Sequence, residues 1–110
     1  MAIVALDATS YNTLVESNNR VVVHFWADWN RIDEQMRERL EEVNTSYGAL
    51  IAFASFDTSP EEHFEICRRV RLVNLPSLCL YRSGKLVETI VGLGDRQRIV
   101  SGLERLLTAD

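Results

Sequence analysis

Few of the chain's 110 residues are cysteine, proline or glycine: two Cys, two Pro and five Gly. Two cysteines are too few for a disulfide-stapled scaffold, and neither stands in a metal-binding spacing with the other or with the two histidines. The scarcity of proline and glycine leaves no linker, so the prediction is one domain over residues 1–110. No apolar run approaches the ~20 residues of a membrane-spanning helix. The opening MAIVALDATS has no basic start and no long apolar core, so it predicts no signal peptide. Basic charge is also lacking. The net charge of −4 and a pI near 5.2 argue against nucleic acid as a partner. The expected setting is the cytoplasm or an organelle matrix, where thiols stay reduced.

What is present is an alternation of strand and helix patterns. Ile3 to Ala5 reads as a short strand and Tyr11, Leu14 and Val15 as one face of a short helix. Val21-Val22-Val23-His24-Phe25-Trp26 is continuous, β-branched and aromatic, as in a strand buried on both faces. From Asn30 to Tyr47, residues Ile32, Met36, Leu40, Val43 and Tyr47 recur at helical spacing, and Gly48 ends the pattern. Ile51 to Phe56 is a strand. Ser59-Pro60-Glu61-Glu62 opens a helix to about Arg69, with His63 on its exposed start. Leu78 to Tyr81 and Leu86 to Val91 form a hairpin through Ser83-Gly84. Asp95 starts a last helix with Ile99, Val100, Leu103, Leu106 and Leu107 inward. The predicted order is βαβαβαββα, an α/β fold with a mixed five-stranded sheet flanked by four helices.

Three segments carry a resemblance to the thioredoxin family. They are Val21-Val22-Val23-His24-Phe25-Trp26-Ala27-Asp28-Trp29, then Asn74-Leu75-Pro76-Ser77-Leu78, then Gly84-Lys85 with Val91-Gly92. The resemblance implies the thioredoxin fold and a cis bond before Pro76. The words VVVHFWA and Glu34-Gln35-Met36 resemble most the N-terminal thioredoxin-like domain of multidomain monothiol glutaredoxins, which is regarded as an interaction module.

After Trp29 the family carries Cys-x-x-Cys, and here stands Asn30-Arg31-Ile32-Asp33. Thiol–disulfide exchange needs a thiolate, which Asn and Asp do not supply. Asn30 suits a helix cap and Asp33 a capping-box partner at the positive helix pole. The alternative is that Asn30, Arg31 and Asp33 serve a ligand or partner. His24 occupies the position where the family has a buried Asp. It reads as a hydrogen-bonded core histidine, or as a proton relay toward Asp33.

The main expectation from these residues is therefore a redox-inactive interaction or adaptor module, not an enzyme, needing no cofactor and no metal. Its partner would be a protein or extended peptide. The resemblance implies a docking face of Trp29, Ile32, Leu75, Pro76 and Gly92, with the backbone at Leu75 open to strand addition. Two further readings stay open. One is a single-cysteine oxidoreductase or redox sensor using Cys67 or Cys79; the other is a structural homodimer or assembly subunit. Both thiols read as small buried hydrophobes, Cys67 being the better reactive candidate because Arg68 and Arg69 follow it. Spacing alone leaves a Cys67–Cys79 disulfide undecided. Arg68, Arg69 and Arg71, with Arg20 or Arg82, form a candidate basic patch.

Overall fold

In a computed structural model, which describes residues 3–108, β-branched and aromatic runs become strands and the amphipathic runs become the helices that cover them. The chain runs β1 (Val4–Leu6), α1 (Ala8–Ser17), β2 (Arg20–Trp26), α2 (Ile32–Tyr47) and β3 (Ala52–Asp57). A 3-10 turn (Glu61–His63) then leads into α3 (Phe64–Arg69), followed by β4 (Ser77–Arg82), β5 (Lys85–Val91) and α4 (Arg96–Thr108). The sheet order is β1-β3-β2-β4-β5. β3 pairs parallel with both β1 and β2, while β4 pairs antiparallel with both β2 and β5. Helical crossovers accompany the parallel pairs, and the tight hairpin gives the antiparallel β4–β5 pair. This is the thioredoxin fold, as expected.

Alternation along the strands divides the core into two layers. Val22 on β2, with Leu78 and Leu80 on β4, packs under Met36 and Leu40 of α2 and Ile99 and Leu103 of α4. Val21, Val23 and Phe25, with Cys79 and Tyr81, pack on the other side with Tyr11 and Val15 of α1 and Ile66 of α3. By this parity His24 falls on the same sheet face as Val22, the one that α2 covers. That placement decides its chemistry.

The ends of the elements follow local chemistry. Asp7 caps α1: its Oδ1 accepts from the Thr9 and Ser10 N–H groups at 2.9 and 2.8 Å, and Ser10 Oγ accepts from the Asp7 N–H at 2.9 Å. Ser83 and Gly84 both have positive φ, 53° and 82°. Two such residues in succession give the turn whose twist matches the strands. The side chains of Arg20 and Arg82 donate to carbonyls in the last turn of α4, including Leu106 O at 3.1 and 3.2 Å. These two arginines are thus committed to a helix end and do not join Arg68, Arg69 and Arg71 in one patch. Arg68 itself pairs with Glu65 at 2.6 Å.

Two expectations for the segment after β3 change. Where one helix was predicted, the chain makes a 3-10 turn before α3. His63 is buried rather than exposed. Its Nδ1–H donates to the Asp57 carbonyl at 2.6 Å and its ring stacks on Phe56 at 4.2 Å. No helix among the described residues is long and apolar enough to cross a membrane.

Candidate functional site

β2 delivers its last residues to the head of α2 and to the loop before β4, so these three pieces meet. Asn30 joins them. Its Oδ1 accepts from the Ile32 N–H at 3.0 Å, and its Nδ2 donates to the Leu75 carbonyl at 3.2 Å. The helix begins at Ile32, with Arg31 in the cap position making no side-chain cap bond. Asn30 therefore holds the turn from one residue further out than a standard cap.

Asp33 does not close a capping box. It turns inward and is only 5% exposed. Its Oδ2 accepts from the Ala27 N–H at 3.0 Å, and its Oδ1 lies 3.4 Å from His24 Nε2. A capping partner and an inward anchor share the same sequence spacing. Here the buried Ala27 N–H had no strand partner to use, and it took the carboxylate. A carboxylate facing Nε2 favours the tautomer with its proton on that nitrogen. His24 and Asp33 line a cleft of about 1160 Å³ between α2 and the β1–β3 edge, together with Ser55, Arg31 and Arg37.

The residues expected to form a docking face differ in exposure. Trp29 is 72% exposed and Ile32 44%. Pro76 is buried behind a cis Leu75–Pro76 bond, and Gly92, with φ of 85°, donates its N–H to the Pro76 carbonyl at 2.8 Å. Leu75 packs partly against the core layer of Val21, Val23 and Phe25. Its backbone is not open for strand addition as expected. The carbonyl accepts from Asn30, and the N–H donates to Asn74 Oδ1 at 2.8 Å.

The two thiols differ. Cys79, in the middle of β4, is fully buried, and burial pushes its pKa up to about 11. Cys67, on α3, is only half-buried, contrary to its reading as a core residue, and burial raises its pKa as well. It lines a shallow groove of about 380 Å³ with Thr58, Phe64, Arg68, Arg71 and Leu72. Arg71 closes the helix with φ of 57°. A six-residue helix covers this layer incompletely, which leaves the groove. The sequence signal was available only as a cysteine followed by arginines.

The fold and the meeting of helix head, cis-proline loop and central strand define a thioredoxin-fold protein. The family model described as Thioredoxin matches residues 2–105. Thioredoxin of Mycobacterium tuberculosis (strain CDC 1551 / Oshkosh) is 33% identical over 88 residues, covering 78% of this chain and 72% of that protein. Thioredoxin of Mycolicibacterium smegmatis is 27% identical over 107 residues, covering 96% of each. In fold the chain is similar to mitochondrial thioredoxin 3 from Saccharomyces cerevisiae, in its oxidised form, with a TM-score of 0.83, 23% identity and coverage of 94% and 95%. The chain belongs to the thioredoxin family.

These findings correct the expectation of a redox-inactive interaction or adaptor module. That expectation rested on one turn without sulfur, Asn30 to Asp33, and treated the loss of two thiols as the loss of the chemistry. The relatives are thioredoxins, and the chain keeps a thiol within reach of solvent. The single-cysteine alternative is the reading they favour.

Proposed function

We propose that the chain is a thiol–disulfide redox protein that works through one cysteine, Cys67. The observation that supports this most is the half-buried Cys67 in its groove beside Arg68 and Arg71, while Cys79 has no exposure. With no sulfur in the Asn30-Arg31-Ile32-Asp33 turn, exchange must start from one of these two. The Cys67 thiolate would attack one sulfur of a disulfide RSSR. The S–S bond breaks, Cys67–S–SR forms, and RS⁻ leaves and takes up a proton. A second thiol attacking the mixed disulfide returns Cys67 to its reduced form. Because burial raises the Cys67 pKa, the thiolate fraction and the rate rise with pH through the alkaline range.

The partner in this reading is a protein presenting a disulfide. Trp29 and Ile32 supply exposed apolar surface for it beside Leu75, Pro76 and Gly92. The engaged Leu75 backbone favours docking through side chains over an added strand. The setting is the cytoplasm, and the finer kinship is with the thioredoxin-like domain of monothiol glutaredoxins, on the VVVHFWA and Glu34-Gln35-Met36 words.

Native-state alkylation with iodoacetamide, followed by peptide mapping, tests the assignment. Cys67 labels in the folded chain, faster at higher pH, while Cys79 labels only after denaturation. If both thiols label only in denaturant, the proposal fails.

A further inference from the structure

We infer that the cleft between α2 and the β1–β3 edge binds a small organic cation, one with a positively charged N–H head on an apolar body. The sheet explains why a cleft is there. Ala5, Ser55 and His24 stand in one register row, on the face that α2 covers. Two of these three side chains are small, so the space between the row and α2 is not filled, and Ala5 stays exposed in mid-strand. In the next row Val22 and Phe53 are large and buried, and the core closes. At about 1160 Å³ the cleft has room for a small organic molecule, whose pockets run roughly 300–1,000 Å³.

The buried polar groups of the cleft accept hydrogen bonds. Asp33 has taken one from the Ala27 N–H on Oδ2 and faces His24 with Oδ1. A carboxylate offers about four acceptor positions, so these two contacts leave it with capacity. With the proton of His24 on Nε2, its Nδ1 is an acceptor too, and Ser55 adds a hydroxyl. Charge along the cleft has the same sense. Four carboxylates, Asp28, Asp33, Glu34 and Glu41, line it against two guanidinium groups, Arg31 and Arg37. Arg37 is already paired with Glu34. Negative charge therefore prevails, and a cationic donor complements it where an anion is repelled. Trp26 and Leu40 supply apolar wall for the body of such a ligand. The site is independent of Cys67, which packs against the other core layer.

The test uses benzamidine as the probe, with the isosteric but neutral benzamide and the anionic benzoate beside it, in NMR titrations of the isotope-labelled full chain. Benzamidine is expected to give saturable shifts at the Trp26 indole and at the Ala5 and Ser55 amides, with benzamide and benzoate binding at least about tenfold more weakly. Asp33→Asn lowers benzamidine affinity by about tenfold, through loss of the charge. Ala5→Leu, at an exposed position, fills the cleft and lowers it as well, so the inference stays testable even if Asp33→Asn folds poorly. Benzamide or benzoate binding as tightly as benzamidine, no saturable shift at these residues, or unchanged affinity in a folded variant would overturn it.

Discussion

Asp33 shows how far a side chain's role depends on which way it points. At the head of a helix a carboxylate in solvent contributes by its charge alone, roughly 0.3–1 kcal/mol. Turned inward, it satisfies the Ala27 N–H and faces His24. Removing it leaves a buried donor without a partner, at a cost of about 1–3 kcal/mol. Urea unfolding of Asp33→Ala therefore shifts to lower denaturant, and Asp33→Asn, which keeps an acceptor oxygen, shifts less. An unchanged Asp33→Ala midpoint would return Asp33 to a surface role. The buried thiol sets a pH dependence of known sign. A pKa raised in the folded state means that the protein binds the proton more tightly than the unfolded chain does. Stability is thus fully present below the ordinary thiol value of 9.0 and is lost as pH rises to about 11. The loss from Cys79 is of order 2–3 kcal/mol, and the raised Tyr11 and Tyr81 add to it in the same direction. Cys79→Ala flattens the decline of denaturation midpoint between pH 9 and 11; an equally steep decline would mean that the thiol contributes nothing.

The elements were the most legible part of the sequence. The period-two and period-3.6 patterns survive any environment, and Ser83-Gly84 encodes the hairpin through its left-handed preference. The 3-10 turn at Glu61–His63 was not legible, because the bond that sets it, His63 to the Asp57 carbonyl, joins a side chain to the end of a strand. Nor could the sequence show that Arg20 and Arg82, on two different strands, serve the end of α4. Arg20 bridges to it with Nε on Leu106 O at 3.1 Å and Nη2 on Leu107 O at 3.3 Å. Arg20→Leu should free the Leu107 carbonyl and leave Leu106 O to Arg82 alone, at a cost of about 1 kcal/mol. Amide hydrogen exchange would register it as faster exchange in the last turn of α4. Unaltered protection there would mean that water replaces the arginine without loss.

At the scale of the whole molecule, the two-layer architecture was legible and the site only in part. Composition and alternation dictate a sheet buried on both sides, and the strand order then follows from connection rules. The residues of the expected docking face stood out as words of a family, and of these Trp29 and Ile32 lie on the surface. Yet the engagement of the Leu75 backbone is not legible in the sequence, because the bond from Asn30 crosses between segments far apart in the chain. The thiols were harder still. Cys67 and Cys79 look alike in sequence, and only the incomplete cover of a six-residue helix separates them. The proposed function rests on that difference and not on the sulfur-free turn from Asn30 to Asp33.

The most direct test is capture of a mixed disulfide with a protein substrate. Reduced chain is mixed with oxidised insulin, quenched with acid and resolved without reductant. A covalent complex that maps to Cys67 and is absent with Cys67→Ala is the predicted result. No complex, or one that persists undiminished in Cys67→Ala, would contradict the account.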